Sequence, residues 1–180
     1  MNKKSINLSE LGVDDVPIIN VDPPGPQSQP LWARENKFNS AGLSALATIS
    51  QIVLEQGRGA LIQDVDGNVY IDFSFAMIGV STGHLHPKVQ ESLKSELDNF
   101  LHTYDMSSTA RIDFFELLAG LLPDNLNQFQ MYSSGTETVE AGLRLAKSYT
   151  KKQEFIGLYK SFHGKSLGSL SLMGVGYKNA

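Results

Sequence analysis

Between Gln128 and Tyr159 the chain reads QFQMYSSGTETVEAGLRLAKSYTKKQEFIGLY. Gln128–Tyr132 has the content of a short buried strand, and Glu154–Tyr159 that of a second. The residues between them have the spacing of a helix from Ser134 to about Tyr149. Strand, helix and strand within roughly thirty residues make a βαβ unit. Two strands joined in this way run parallel, because a tight hairpin cannot connect them, and a parallel sheet covered by helices is the frame of an α/β protein. The fold class expected is therefore α/β.

The seam between the first strand and the helix carries Ser133, Ser134, Gly135 and Thr136. Ser134 is placed to cap the helix, with Glu137 three residues on completing a capping box. Val139, Leu143, Ala146 and Tyr149 then form an apolar stripe at helical spacing. The first turn of a helix exposes unpaired N–H groups and the positive end of the peptide dipole. Gly135 lets an anion approach the backbone with no Cβ in the way, and the three hydroxyls are further donors. Such a helix start, after a parallel strand, suits a phosphate. The same residues also suffice to cap a helix and do nothing else. The second loop, GLYKSFHGKS, puts Phe162 and His163 just past the second strand, on the same edge of the sheet. A phosphate held at one loop and an aromatic face offered by the other would clasp a small planar phosphorylated molecule; a Phe-His pair used for packing is the alternative.

The remainder has a different character. Residues 1–40 read as an irregular arm, and four of the seven prolines fall in VDPPGPQSQP (Val21–Pro30), which is expected to form neither helix nor central strand. Such an arm wraps a surface or a partner subunit, or remains a disordered tail over residues 1–20. GALIQDVDGNVYIDF (Gly59–Phe73) reads as a β-hairpin turning at Asp66-Gly67, with Val69, Ile71 and Phe73 alternating against Asn68, Tyr70 and Asp72. Pro87 opens a helix with Val89, Leu93, Leu97 and Phe100 on one face. Thr109 caps another that Pro123 and Asp124 stop. The division expected is arm (1–40), small-lobe segment with hairpin and helix (41–103), and the start of a larger cofactor domain (104–180).

Composition closes several routes. At 180 residues, with 41% hydrophobic and 19% charged residues, the chain has the balance of a globular domain. A net charge of −4 argues against nucleic acid or an anionic membrane as partner, and the lack of cysteine excludes thiolate chemistry. The start lacks a signal-peptide core and no apolar run is long enough to span a bilayer, so a cytoplasmic protein is expected. DVDGN has its glycine too early for a calcium loop and no distal glutamate. GVSTG matches a serine-hydrolase elbow at Ser81, yet the next helix start, Pro87, comes several residues too late. Gly164-Lys165-Ser166 ends like a Walker A loop, but Tyr159 stands where its first glycine belongs, and LGSLSLMG after it is a poor helix. His84, His86, His102 and His163 lack the i,i+4 pairing of a helical metal site.

Five segments, PPGP, GRGALIQDVDGNVYIDF, GHLHPKV, YSSGTETVEAGLRLAKSYT and SFHGKSLGSLSL, occur in an order and at a spacing that resembles the class III pyridoxal-phosphate-dependent aminotransferases from about Pro23 to Ala180. The resemblance implies the aspartate-aminotransferase type of fold, the type I fold of pyridoxal-phosphate transferases. It implies that Ser134, Gly135 and Thr136 form the cup for the phosphate of pyridoxal 5'-phosphate, largely through backbone N–H groups. Phe162 then matches the residue that stacks on the pyridine ring, and His163 the histidine beside it. Gly164 lets the chain pass close. Met77 matches a position that shapes the substrate pocket; an aromatic residue is frequent there.

The reaction implied is transfer of an amino group from an amine or ω-amino acid, 4-aminobutyrate-like, to a 2-oxo acid, in a homodimer whose sites use both subunits. Acetylornithine, ornithine and aminomutase branches share these motifs. A racemase, an aminomutase or a non-catalytic relative of the same fold are the other readings. That chemistry needs a Schiff-base lysine and a carboxylate on the ring nitrogen. In the family both follow the FHG-like loop at a distance, and the pattern gives Lys160 and Lys165 no such role. The chain is thus expected to be an N-terminal part with no catalytic residue of its own, inactive and poorly soluble alone.

Overall fold

The computed structural model describes residues 6–40 and 45–174. In chain order they form α1 (Ser28–Glu35), α2 (Ala45–Ser50), β1 (Leu54–Arg58), β2 (Leu61–Asp64), β3 (Val69–Ile71), α3 (Phe75–Ile78), α4 (Pro87–Leu97), α5 (Thr109–Leu121), α6 (Gly135–Thr150) and α7 (Leu167–Ser171). Two units part between His102 and Thr103.

The N-terminal unit is organised by its hairpin. Gly67 takes φ +89° in the turn, a conformation that favours glycine, so β2 and β3 pair antiparallel; β1 adds on the other side of β2. The Asp64 carboxylate is fully buried and accepts from the Asp66 N–H (2.9 Å), the Asn68 N–H (2.8 Å), the Asn68 side-chain amide (2.9 Å) and the Tyr70 hydroxyl (2.7 Å). Burial, together with the bond to Asp64, pushes the Tyr70 phenol up to about 12, which keeps it a donor. Asp66 caps α1 from a distance, accepting from the Gln27 N–H (2.7 Å), the Ser28 N–H (2.9 Å) and the Ser28 hydroxyl (2.5 Å). Burial alone would raise its carboxyl; these bonds outweigh burial and hold it below the ordinary range.

The arm lies across this sheet. Ile18 bridges Val69, and the Asn68 side-chain oxygen accepts from the Asn20 and Val21 N–H groups. Leu8 packs with Leu61 and Val69 beneath a rim of Ile6, Leu11, Val16, Ile18 and Ile71. Burying one leucine is worth about 1.5–3 kcal/mol, less than the cost of ordering the segment, so the rim residues and the backbone bonds of Ile18, Asn20 and Val21 hold the arm together with Leu8. Residues 6–20 are therefore not a loose tail. The expectation that Val21–Pro30 forms no helix is also corrected: α1 begins at Ser28, because Pro30 falls in its first turn, where a missing N–H costs nothing.

The expected alternation past Val69 fails at its end. Phe73 is 87% exposed, while Asp72 turns inward to accept from the His84 ring (2.8 Å), the Ser74 N–H (3.0 Å) and the Phe75 N–H (2.9 Å). The strand has ended and an aspartate-nucleated turn has replaced it. His84 also exchanges backbone bonds with Gly59. β1 carried no alternating signal in its LEQGR sequence and went unread. α4 starts at Pro87 as expected, but Val89, Leu93, Leu97 and Phe100 are exposed rather than buried.

In the C-terminal unit α5 is capped by Ser108, whose hydroxyl accepts from the Arg111 N–H (3.3 Å); Thr109 is the first helical residue, not the cap. Among the described residues the three-stranded antiparallel sheet is the only sheet, so Gln128–Tyr132 and Glu154–Tyr159 do not pair as the parallel strands expected. They form no ladder, Tyr159 lies in a turn, and side chains suited to a sheet interior face solvent, Ile156 at 98% exposure. Aromatic contacts tether them instead: Phe115 meets Phe129 at 5.5 Å, and the Lys147 ammonium lies 5.7 Å from the Phe155 ring. The tail taken as a poor helix forms the short α7. No helix among the described residues is long and apolar enough to cross a membrane.

Candidate functional site

The start of α6 follows from its sequence. Ser134 is extended (φ −148°, ψ 157°) and is the N-cap, its hydroxyl accepting from the Glu137 N–H at 3.4 Å and donating to the Glu137 carboxylate at 3.0 Å. Glu137 therefore answers the serine hydroxyl rather than the Ser134 N–H that a capping box would use. Among the described residues nothing accepts from the Gly135 or Thr136 N–H, and nothing lies within 4 Å of where a Gly135 side chain would begin. An open helix start with two unpaired N–H groups is what an anion needs.

Thr136 departs from expectation. Its hydroxyl does not serve as an extra donor to the cup: it lies 2.6 Å from the Ser166 hydroxyl, donates to the Ser169 hydroxyl at 3.0 Å and accepts from the Ser166 N–H at 3.3 Å. The Ser169 hydroxyl in turn donates to the Thr136 carbonyl (3.1 Å). Gly164, at φ +114°, passes so close that any side chain there would strike Thr136. These contacts bring the loop after Tyr159 to the first turn of α6, although no parallel pairing aligns them. In that loop Phe162 is 58% exposed, His163 is half-buried, and Lys160 sits at φ +62°, a turn closed by the Ser161 hydroxyl donating to the Leu158 carbonyl (2.7 Å). A cavity of about 320 Å³ nearby is lined by Gly157, Tyr159, Leu172, Met173 and others, and contains none of the residues singled out from the sequence.

Three participants went unread: Glu140, Ser166 and Ser169. The Glu140 carboxylate accepts from the Ser166 hydroxyl (2.7 Å), the Gly168 N–H (2.8 Å) and the Ser169 N–H (3.2 Å), joining α6 to α7. The available signal was a matched spacing, Thr136 and Glu140 against Gly164 and Gly168.

Met77 belongs to the N-terminal unit and is 79% exposed. It lies in α3, where Phe75, Met77 and Ile78 have φ of +44°, +57° and +70°. Left-handed backbone at non-glycine residues is strained and gathers at working loops. Ser81 donates to the Ile78 carbonyl (3.0 Å) and opens no helix, so no nucleophile elbow forms. No group of three or more metal-ligating side chains occurs among the described residues.

The model of the family "Aminotransferase class-III" matches residues 44–180. An alanine/serine racemase of Pyrococcus horikoshii is 32% identical over 88% of this chain and 33% of its own length. A diaminobutyrate–2-oxoglutarate transaminase of Virgibacillus pantothenticus is 36% identical over 70% of this chain and 32% of its own. Among solved structures, an ω-transaminase from Sphaerobacter thermophilus superposes with a TM-score of 0.71 at 26% identity, over 79% of this chain and 33% of that one. A transaminase with PLP bound gives 0.68 at 25% identity, over 80% and 34%. The chain spans about a third of the length of the curated relatives it matches.

Proposed function

Because this chain belongs to the class III aminotransferases, with their type I fold and their dependence on pyridoxal phosphate, we propose that it supplies the phosphate-holding and ring-contacting parts of an enzyme that moves an amino group from an ω-amino donor to a 2-oxo acid. The observation that carries this reading is the open first turn of α6 held against the loop of Phe162 by the Thr136–Ser166 contact. The residues fit the group: two unpaired N–H groups suit a phosphate dianion, and an exposed phenyl ring within one short loop suits a flat heterocycle.

In the proposed site Gly135 and Thr136 hold the phosphate through their backbone N–H groups, and Ser134 fixes the turn that aims them. Phe162 lies against the ring and His163 beside it. Met77 shapes the substrate pocket. When bound, pyridoxal phosphate supplies the electron-accepting ring that stabilises charge as a substrate bond to the amino-bearing carbon is broken. Lys160 and Lys165 are not assigned the lysine linked to the cofactor, and no residue of this chain is assigned as the carboxylate for the ring nitrogen. Residues 1–40, 41–103 and 104–180 are read as arm, small-lobe segment and start of the large domain. A homodimer is proposed, its interface covering apolar faces such as that of α4.

The ω-amino donor is supported by relatives named for diaminobutyrate and acetylornithine, both compounds with a terminal amino group. A second reading is racemisation, favoured by the racemase that matches 88% of this chain. One experiment separates them. The full-length protein with pyridoxal phosphate is given 4-aminobutyrate, diaminobutyrate or acetylornithine with 2-oxoglutarate, and separately L-alanine with no oxo acid. Glutamate formation is expected in the first assay, and in Phe162→Ala about a tenfold weaker retention of the cofactor, the scale of a lost aromatic contact plus its buried area. Conversion of L- to D-alanine with no glutamate formed would replace this reading with the racemase.

A further inference from the structure

Thr136 and Glu140 stand one turn apart on α6 and so share a helical face. Opposite them run Gly164 and Gly168, with the same spacing. A side chain on Gly164 would strike Thr136, and one on Gly168 would strike the Glu140 carboxylate. The carboxylate fills the space that glycine leaves. One of its oxygens accepts from the Ser166 hydroxyl, the Gly168 N–H and the Ser169 N–H, at 2.7, 2.8 and 3.2 Å. The last two are N–H groups of the first turn of α7, and Ser166, the N-cap residue of that helix, makes no side-chain cap of its own. Glu140 is thus the cap of α7, delivered from another helix. The Ser166 hydroxyl first, and the Gly168 N–H next, hold its carboxyl below the ordinary range.

We propose that Glu140 is a positioning residue of the cofactor site: by fixing the start of α7 against α6, it sets the separation between the helix turn that holds phosphate and the loop that carries Phe162 and His163. The proposal rests on the cofactor reading above. Glu140 acts through Ser166, Gly168 and Ser169, and not by touching the ligand. A ligand gripped by both halves of the site feels that separation. A ligand gripped by the helix turn alone does not. Pyridoxal phosphate is of the first kind and inorganic phosphate of the second.

The test uses the full-length protein and the variants Glu140→Ala, Glu140→Gln and Gly168→Ala. Binding of inorganic phosphate to the cofactor-free protein is followed by phosphorus NMR. Release of pyridoxal phosphate is followed by dialysis, and the seating of its ring by visible circular dichroism. In Glu140→Ala phosphate affinity is expected to stay within about twofold, while cofactor release quickens about tenfold, the equivalent of one hydrogen bond to a charged group. The circular dichroism band should change with it. Glu140→Gln, which keeps the acceptor oxygen, should fall between. Gly168→Ala, which pushes the carboxylate aside without removing it, should repeat the alanine pattern. Should Glu140→Ala fail to fold, the other two variants decide on the same readouts. Unchanged release and an unchanged band in the variants overturn the positioning role, and so does an equal loss of phosphate and cofactor. A wild-type protein that binds neither probe overturns the cofactor reading itself and the role with it.

Discussion

In the N-terminal unit the organising carboxylate, Asp64, is wholly out of solvent and sits beside the Leu8–Leu61–Val69 cluster. In the C-terminal unit the corresponding group, Glu140, is half-buried, and its neighbours are hydroxyls and glycines. Around Asp64 polar satisfaction and apolar burial reinforce each other. Around Glu140 the polar contacts hold α6, α7 and the Phe162 loop together while Ile156, Leu158 and Tyr149 remain exposed. The difference is that, among the described residues, the contacts joining the elements of the proposed site are hydrogen bonds, whereas the hairpin region carries its own core. Breaking a polar anchor should therefore unfold the first region and only loosen the second.

The largest effect is expected at the hairpin. Asp64→Ala leaves two backbone N–H groups, the Asn68 amide and the Tyr70 hydroxyl without their acceptor. Each orphaned donor that water cannot reach is costly, so a loss of about 3 kcal/mol is expected in urea titration. A loss under about 1 kcal/mol would mean that water replaces the carboxylate, and the contrast with Glu140 would vanish.

How far the sequence displayed this contrast depends on the range of the forces. The hairpin was legible because Asp66-Gly67 is local turn chemistry. The cap of α6 was legible because Ser134 and Glu137 are three residues apart, and five motifs in order gave the family. The bonds from Asp66 to Gln27 and Ser28 were not legible, since they cross a stretch of chain that no local rule relates. Nor were those of Glu140 to α7. The strands at Gln128–Tyr132 and Glu154–Tyr159 were read from apolar content alone, and content does not supply the neighbours that a ladder needs. Thr109 reads as the cap from its residue type, but Ser108 before it is as good a cap, and only the backbone shows that Ser108 is the extended residue.

An acid titration sharpens the comparison further. The His84 hydrogen bond first, and bonds from Ser74 and Phe75 against an opposing burial effect, hold the Asp72 carboxyl below its ordinary 3.8. Glu140 is held below its ordinary 4.5. A carboxyl with a lower pKa folded than unfolded takes up its proton more readily on unfolding. Its ionised form therefore stabilises the fold above the unfolded value, and that contribution fades as pH falls through the folded value. Protection of the Gly168 and Ser169 amides from hydrogen exchange should weaken as pH falls below about 4.5, and that of Ser74 and Phe75 as it falls below about 3.8. Asp72→Asn should flatten the acid limb of the N-terminal unit alone. An identical slope in both units would show that they respond as one.

The smallest effect is expected at the helix that begins the proposed cup. Ser134→Ala removes a hydroxyl that accepts from the Glu137 N–H at 3.4 Å, a long bond at an exposed helix end. Water can take its place, so the cost should be at most about 1 kcal/mol in thermal unfolding, with Ser134→Gly costing a few tenths and Ser134→Asp close to neutral. The cap is thus a matter of aim more than of stability: it turns the Gly135 and Thr136 N–H groups outward, while Thr136 and Glu140 hold the helix to its neighbour. If Ser134→Ala instead cost as much as Asp64→Ala, the end of α6 would be a folding nucleus in its own right. The C-terminal unit would then depend on a local anchor as strongly as the hairpin does, and the division between a core-built region and a polar-tethered one would fail at the position where the ligand is proposed to bind.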